Sequence, residues 1–311
     1  MSELTLILDR RELAVGIENK TIRIDRPDSR PERVPLNMIA RVIIYGSPMV
    51  SCKVWRALAE KNIPAVLLPA RGNGVAAYLG TGLALSFSNR VNQYKTFHDQ
   101  LKSLEIARWL ITQKISGQEL IINQLTVDNF AKNSLHEFKI RLKKAANRES
   151  IMGYEGAAAA TYFKIWRKAL PDKWKFSGRN RRPPKDPVNA LLSYTYTIAG
   201  SDIRNSILIN GLDPALGFLH VAQSGRESLV LDILEPLRPR LDEFVLQLIS
   251  NSLNLKDFTT NMTDGCKLTK KGRMKFFQEW AIWNKNDGSE KLKMSSNKII
   301  KKIMESFLSE P

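Results

Sequence analysis

The sequence predicts an α+β protein with a small β-rich N-terminal domain and a larger all-α C-terminal domain. In residues 1–88, short apolar and β-branched runs are separated by Gly, Pro, Asn and Asp, which is typical of strands and turns. In residues 89–311, apolar residues recur at intervals of three and four, which is typical of amphipathic helices. This change of period places the domain boundary between residues 88 and 89.

The N-terminal domain is predicted to contain strands and one helix. The strand pattern is carried by LTLILDR, ELAVGIEN, KTIRIDRP, ERVPLNMIARVIIYG, AVLLPA and GVAAYLG. The segment SCKVWRALAEKNI precedes AVLLPA and spaces Val54, Leu58 and Ile63 nearly as a helix does. We therefore expect a single helix there.

The C-terminal domain is predicted to contain several long helices and to end in a basic tail. Helical periodicity is carried by QYKTFHDQLKSLEIARWLITQKISGQELIINQL, VDNFAKNSLHEFKIRLKKAAN, ESIMGYEGAAAATYFKIWRKAL, DPVNALLSYTYTIAGSDIRNSILING and RESLVLDILEPLRPRLDEFVLQLISN. The segment SGRNRRPPKDP separates two of these helices, because it is too rich in Pro and Arg to be helical. From Lys267 to Lys302 the chain is strongly basic.

Composition and charge narrow the class of protein. Hydrophobic residues make up 43% of the chain, which supports a folded core. The net charge of +17 favours a polyanionic partner such as nucleic acid, although a generically basic protein would show the same excess. The sequence shows no secretory signal and no apolar run long enough to cross a membrane. Two isolated cysteines, Cys52 and Cys266, indicate a reduced cytoplasmic protein.

Three segments carry candidate catalytic residues. Glu155 lies among glycines and alanines in GYEGAAAATYF, where small side chains would let a large ligand approach. His220 ends GLDPALGFLH, and Asp232 and Glu235 follow on one face of an apolar helix. Carboxylates in such a segment are costly to bury unless they are paired or bind a cation.

These residues suggest a metal site, with a surface salt bridge as the alternative. Arg226 and Arg238 lie close enough along the chain to pair with the acids of the helix. If Glu155, His220 and Glu235 meet instead, their O,N,O set suits Mg²⁺ or Mn²⁺ with open coordination positions. Zinc is disfavoured because the chain has neither a cysteine cluster nor an HExxH motif.

Several segments together resemble the CRISPR-associated integrase family of spacer acquisition, Cas1. They are ESIMGYEGAAAATYF, RNRRPPKDPVNALLSYTYTIA, GLDPALGFLH and GRESLVLDILEPLRP, in this order and spacing. IARWLITQKISGQ resembles the family's first long helix, and the N-terminal strands resemble its β-domain. The resemblance covers nearly the whole chain.

The resemblance implies a β-sandwich-like N-terminal domain that forms homodimers and a helical catalytic domain. It implies a metal-dependent enzyme that joins 3′-hydroxyl ends of short DNA fragments into a CRISPR array, together with a small partner protein, Cas2. It also implies cleavage of double-stranded and branched DNA. The family's metal ligands fall on Glu155, His220 and Glu235, and Asp232 matches an acidic position that supports the site.

Further residues are candidates for contact with DNA. Basic residues between two helices and in the tail are expected to hold phosphates, unless they are simply solvated. Two tyrosines are expected either to contact DNA or to pack in the core. The set comprises Arg179, Arg181, Arg182, Lys185, Lys267, Lys270, Lys271, Arg273, Tyr162 and Tyr194.

Other functions remain alternatives to the integrase. A non-catalytic DNA-binding subunit would be free to lose the acids and the histidine, and all of them are present. A transposase-like relative of the family would be expected to carry an additional DNA-binding domain. A purely structural helical protein would explain neither the net charge nor the presence of Glu155, His220 and Glu235.

Overall fold

The computed structural model describes most of the 311-residue chain. The described residues are 4–9, 12–27, 29–68, 77–79, 87–126, 129–180, 183–261, 263, 265–285 and 291–308. Within these ranges the N-terminal part is rich in strands and the C-terminal part is mostly helical, which confirms the predicted α+β class. The division into domains after residue 88 stays a prediction.

The N-terminal part forms two four-stranded sheets within the described residues. Its elements are β1 (Leu4–Leu8), β2 (Ala14–Glu18), β3 (Thr21–Asp25), β4 (Glu32–Pro35), β5 (Ile39–Tyr45), β6 (Met49–Val50), α1 (Cys52–Glu60), β7 (Ala65–Leu68) and β8 (Ala77–Leu79). In the first sheet, with order β1-β5-β7-β8, β5 pairs in parallel with β1 and β7, and β8 is antiparallel to β7. The second sheet has the order β4-β3-β2-β6, and β2, β3 and β4 are antiparallel neighbours.

The two sheets share one hydrophobic core, as a sandwich does. Leu8 and Ile44 of the first sheet join Ile22 and Ile24 of the second, and Leu58 of α1 lies in the same cluster. Ile22 and Ile24 are two positions apart, so the pleat turns both toward this core. The helix predicted before AVLLPA is confirmed as α1.

The C-terminal part is a bundle centred on a long buried helix. Its helices are α2 (Phe87–His98), α3 (Gln100–Leu125), α4 (Asn129–Leu142), α5 (Arg148–Ala169), α6 (Pro187–Ile209), α7 (Ser228–Gln247), α8 (Lys270–Lys285) and α9 (Lys291–Leu308). Helix α3 packs against α5 and α7, and α7 also packs against α6. Ala107, Ile111 and Ile115 of α3 are fully buried, since their four-residue spacing keeps them on the inward face.

The end of the chain differs from the predicted all-α arrangement. A short antiparallel hairpin, β9 (Phe258–Asn261) and β10 (Gly265–Leu268), precedes α8. The predicted basic tail contributes β10, α8 and α9, which bury Phe276, Trp280 and Ile300 in the main core. The basic composition masks this because the lysines occupy the outer faces of amphipathic helices.

Candidate active site

Glu155 lies on the side of α5 that carries small residues. No atom lies within 4 Å of the position that a Cβ would occupy at Gly153 or Gly156, so the helix surface beside the carboxylate is open. Ala159 and Ala160 continue this surface along one edge of a cavity. The small residues around Glu155 therefore leave room for a large ligand to approach the backbone.

Glu235 reaches the same place from α7. It is buried, and its Oε2 accepts a hydrogen bond from Nζ of Lys114 at 2.6 Å. Oε2 also lies 3.0 Å from Nε of Arg238, one turn further along α7. The helix continues through Pro236 and Pro239, so Glu235 keeps helical geometry although a proline follows it. The salt bridge considered as an alternative from the sequence is therefore present, but it is buried.

The charges around Glu235 control its ionisation. Burial raises the pKa of the carboxyl group, but the neighbouring Arg238 and Lys114 cations outweigh burial and lower the pKa to about 2. Glu235 is consequently a carboxylate at neutral pH. An ionised group of this kind can serve as a ligand for a hard cation.

Lys114 joins the two carboxylates. Its Nζ contacts Oε1 of Glu155 as well as Oε2 of Glu235, so acids from α5 and α7 meet at one ammonium group from α3. The sequence analysis did not select Lys114. The sequence does contain an indication that Lys114 is buried. It lies four residues after Leu110 and three after Ile111, on the apolar face of α3. A lysine at such a position is rarely buried without a partner.

Asp232 fixes the position of His220. The Asp232 carboxylate is fully buried and accepts hydrogen bonds from the backbone N–H groups of Phe218 (2.5 Å), Leu219 (2.9 Å) and His220 (3.0 Å). The Nδ1 atom of His220 lies 2.7 Å from Asp232 Oδ1. Gly217 makes this approach possible, because a Cβ there would come within 2.6 Å of Asp232 Oδ2.

The donor chemistry fits a magnesium or manganese ion. Two carboxylates and one imidazole are hard and borderline ligands, and the contact between Nδ1 and Asp232 leaves Nε2 of His220 as the ligand atom. Among the residues that the structure describes, however, no three His, Cys, Asp or Glu side chains form a group spaced to hold a metal. The shared cation between Glu155 and Glu235 is the Lys114 ammonium.

A basic cavity of about 480 Å³ borders Glu155. Side chains of Lys114, Lys164, Arg167, Arg179 and Arg238 line it. This concentration of positive charge, with fork-shaped guanidinium groups, suits phosphodiester groups of a nucleic acid. A depression of similar volume between α3 and α4 does not reach either carboxylate.

Arg179 is fixed at the rim of this cavity. Its Nη1 donates to Oδ1 of Asn189 at 2.8 Å, and its Nη2 donates to Oγ of Ser193 at 3.2 Å. The guanidinium carbon lies 5.6 Å from the ring centre of Tyr196. Among the other predicted phosphate contacts near it, Lys185 is exposed, whereas Arg181 and Arg182 lie outside the described residues.

For both tyrosines the structure favours core packing, which the sequence leaves open beside contact with DNA. Tyr162 is fully buried and packs against Phe163 and Trp166, so it is a core residue. The hydroxyl of Tyr194 contacts that of Tyr45, and its ring centre lies 4.8 Å from that of Phe276. Tyr162 lies on the inward face of α5, whereas Tyr194 is half-buried against the core, and DNA contact by Tyr194 stays a prediction.

The basic residues of the tail fall into two groups. Lys270 lies 3.7 Å from Asp9, and the Arg273 guanidinium donates to the Leu268 carbonyl and covers the ring of Tyr45 at 4.7 Å. These two cations join the helical part to the N-terminal strands. Lys271 is exposed and Lys267 is half-buried, and DNA contact by any of the four stays a prediction.

The fold and the site define a nucleic-acid-processing enzyme, and comparisons with known proteins define its family. The model of the family described as CRISPR associated protein Cas1 matches residues 6–281. The CRISPR-associated endonuclease Cas1 1 of Thermodesulfovibrio yellowstonii is 31% identical over 292 residues, which cover 90% of this chain and 91% of that protein. The chain therefore belongs to the Cas1 family, whose activity is that of a DNA endonuclease and integrase in CRISPR adaptation.

Solved structures agree on the fold. A Cas1 protein from Thermotoga maritima matches with a TM-score of 0.86 at 22% identity, covering 100% of this chain and 98% of that one. A casposase bound to integration product matches with a TM-score of 0.83 at 23% identity, covering 99% of this chain and 91% of that one. No helix within the described ranges is both long and apolar enough to cross a membrane.

Proposed function

We propose that Glu155, Glu235 and His220 form the centre at which this chain joins and cleaves DNA with the help of a divalent cation, Mg²⁺ or Mn²⁺. The observation that supports this proposal is the convergence of two carboxylates, from helices 80 residues apart in sequence, on one cation position. The basic cavity begins at that position. Together these features provide a cation site and a phosphate site side by side.

Each residue has a separate task in the proposed reaction. Glu155 and Glu235 hold the cation through carboxylate oxygens, and His220 offers Nε2 while Asp232 fixes its ring. When bound, the divalent ion lowers the pKa of a bound hydroxyl or water and stabilises the charge on the phosphodiester oxygens. Arg179, with the cavity lysines, positions the phosphate through charge-assisted hydrogen bonds.

The bonds exchanged follow from a single in-line displacement. The 3′-hydroxyl oxygen of a short DNA fragment attacks phosphorus in the target strand and forms a new phosphodiester bond. The bond from phosphorus to the target's own 3′ oxygen breaks, and that oxygen leaves with a proton. Water as the attacking group gives cleavage instead. No covalent bond to the protein is needed.

The partners are proposed from family membership and charge. With a net charge of +17, the chain is suited to bind double-stranded DNA, including branched DNA, through phosphate contacts. We propose a homodimer formed by the β-rich domain of residues 1–88, a catalytic domain of residues 89–311, and Cas2 as the partner protein. We also propose that the complex works on cytoplasmic DNA at the nucleoid.

A strand-transfer assay tests this function. Labelled short duplex DNA is incubated with Cas2, a repeat-containing plasmid and Mg²⁺ or Mn²⁺, with an EDTA control and a plasmid without the repeat. We expect wild type to join DNA only with metal, and Glu155→Gln to lose joining and cleavage while keeping salt-sensitive DNA binding. Glu137→Gln, at an exposed glutamate of α4, is the matched control and should behave as wild type.

Two results of this assay would contradict the proposed function. If wild type binds DNA but neither joins nor cuts it in the presence of Cas2, the chain is a binding subunit. If joining is equally efficient into the plasmid without the repeat, the target is not a CRISPR array. Melting curves of the variants confirm that loss of activity is not loss of folding.

A further inference from the structure

Lys114 is a buried lysine whose partners are the two proposed metal ligands. Its side chain is only 6% exposed, compared with 18% for Glu155 and 5% for Glu235. Its Nζ contacts one oxygen of each carboxylate. The three groups come from α3, α5 and α7, so their meeting is a property of the tertiary fold.

The ammonium group neutralises charge that the fold would otherwise leave uncompensated. Two carboxylates brought together in a largely buried site repel each other and lose hydration. Arg238 pairs with Glu235, but Lys114 is the cation that contacts both acids. Lys114 therefore supplies positive charge to both carboxylates within the fold.

A divalent ion and the Lys114 ammonium cannot use the same oxygens at the same time. The ammonium lies 2.6 Å from Oε2 of Glu235, whereas Mg²⁺ approaches its oxygen ligands to about 2.1 Å. Two cations this close repel strongly in a largely buried site. A divalent ion that binds through these oxygens therefore requires the ammonium to move away from them.

We propose that Lys114 is an internal counter-cation that competes with the divalent metal for Glu155 and Glu235. This inference rests on the proposed function, since it requires the metal to bind at these two acids. The displaced ammonium has a place to go, because Lys114 also lines the basic cavity of about 480 Å³. There it meets the DNA phosphate that the cavity is suited to hold.

Metal binding and DNA binding are then coupled. A phosphate in the cavity attracts the ammonium away from the carboxylates and so favours metal, and metal in turn favours phosphate. In the absence of DNA, the Lys114 ammonium thereby occupies the two carboxylates and weakens metal binding. Lys114 is a positioning residue in this scheme, because its effect on the reaction passes through the two acids.

Metal binding measured without turnover tests the competition. The full-length protein is titrated with Mn²⁺ alone at neutral pH, and free Mn²⁺ is followed by electron paramagnetic resonance. We expect Lys114→Met to bind Mn²⁺ about tenfold more tightly than wild type, within the usual range of coupling between sites. Addition of a short DNA duplex should tighten Mn²⁺ binding by wild type by a larger factor than it tightens Mn²⁺ binding by Lys114→Met.

The matched control is Lys139→Met. Lys139 also pairs with a half-buried glutamate, Glu119, and its loss removes the same charge away from the cavity. Its Mn²⁺ affinity should equal that of wild type. Should Lys114→Met fail to fold, Lys114→Gln keeps a hydrogen-bond donor without the charge and carries the same expectation.

The variant Glu155→Gln distinguishes failure of the proposed competition from failure of the proposed metal site. If Glu155→Gln weakens Mn²⁺ binding while Lys114→Met leaves it unchanged or weaker, the metal site stands and the competition is wrong. If Glu155→Gln has no effect on Mn²⁺ binding, the proposed metal site itself is wrong, and the competition falls with it.

Discussion

Asp232 Oδ1 lies 2.7 Å from Nδ1 of His220 and accepts the His220 backbone N–H at 3.0 Å. Its other oxygen accepts the backbone N–H groups of Phe218 and Leu219. One buried carboxylate therefore fixes both the segment that precedes the histidine and the imidazole ring. With the proton on Nδ1, the Nε2 atom is left as an acceptor, as a metal ligand must be.

We predict that Asp232→Asn weakens both the fold and metal binding. The amide NH₂ cannot accept a hydrogen bond, so at least one buried backbone N–H loses its partner. The free energy of unfolding should fall by about 2 to 3 kcal/mol. Metal affinity should fall about 10- to 100-fold because the ring loses its orientation. Denaturant unfolding and Mn²⁺ titration measure the two effects.

Asp257→Asn provides the control for Asp232→Asn. Asp257 is also buried, accepts a backbone N–H from Asn254 at 3.0 Å and pairs with Lys275 at 2.8 Å. Its replacement should reduce stability and leave metal affinity unchanged. Equal losses of metal affinity in the two variants would show that Asp232 acts only through general stability.

The open surface of α5 gives a prediction about DNA access. Gly153 and Gly156 both have empty space at the Cβ position, but only Gly156 lines the basic cavity. Leu at either position should stabilise the helix by about 0.5 to 1 kcal/mol, because Gly is a poor helix former. Gly156→Leu should also reduce strand joining about tenfold or more by displacing the substrate, whereas Gly153→Leu should join DNA as wild type does. Equal joining by both variants would mean that DNA does not approach α5 here.

Asp242 predicts a pH dependence of stability. This buried carboxyl group accepts a hydrogen bond from the Tyr196 hydroxyl, and burial raises its pKa from 3.8 to about 6 although Tyr196 and Arg238 oppose the shift. The folded protein therefore binds the proton more tightly than the unfolded chain between these values. The stabilisation from the protonated group is complete below pH 4 and is lost as the pH rises through 6.

Asp242→Asn should remove this contribution. The amide stays neutral, so the variant should gain up to about 3 kcal/mol relative to wild type on going from pH 4 to pH 8. Urea unfolding at a series of pH values measures the difference. Parallel pH profiles for the two proteins would show that folding does not raise the pKa of Asp242.

The sequence predicts the order of elements well because periodicity is local. The helix containing Glu155 and the acidic helix of Asp232 and Glu235 are where the pattern places them. The sequence does not predict the role of Lys114, because its partners lie 41 and 121 residues away along the chain. Only the packing of the helices brings the three residues together. Tyr162 shows the same limit, since the pattern places it on the face of Glu155 but does not reveal that this end of α5 is covered.

The sequence does not predict the hairpin β9–β10 for a different reason. Its strands are four residues each, and their composition in FTTN and GCKL is mostly polar or small. Such segments have too few alternating apolar residues to indicate a strand. Packing holds them in place: the Cys266 N–H donates to the Pro184 carbonyl at 2.7 Å, and Gly265 lies so close to Pro184 that a Cβ would clash.

A buried ion pair joins the N-terminal strands to the helical part. Nη1 of Arg41 on β5 lies 2.5 Å from Oδ2 of Asp202 on α6, and both side chains are 9% exposed. The two groups form a salt bridge between β5 and α6. The Arg41 guanidinium also lies 5.8 Å from the ring centre of Trp280.

Removing one member of this pair should lower the free energy of unfolding more than replacing both members with apolar residues. Arg41→Met or Asp202→Leu alone removes one charge of the pair and leaves the other buried, which should lower the free energy of unfolding by about 3 to 5 kcal/mol. The double variant loses both charges together, so its loss should be well below the sum of the single losses. Arg33→Met, at an exposed pair with Glu18, should cost at most about 1 kcal/mol. Denaturant unfolding of the four variants measures the coupling, and additive single losses would show that the pair contributes nothing specific to the contact between β5 and α6.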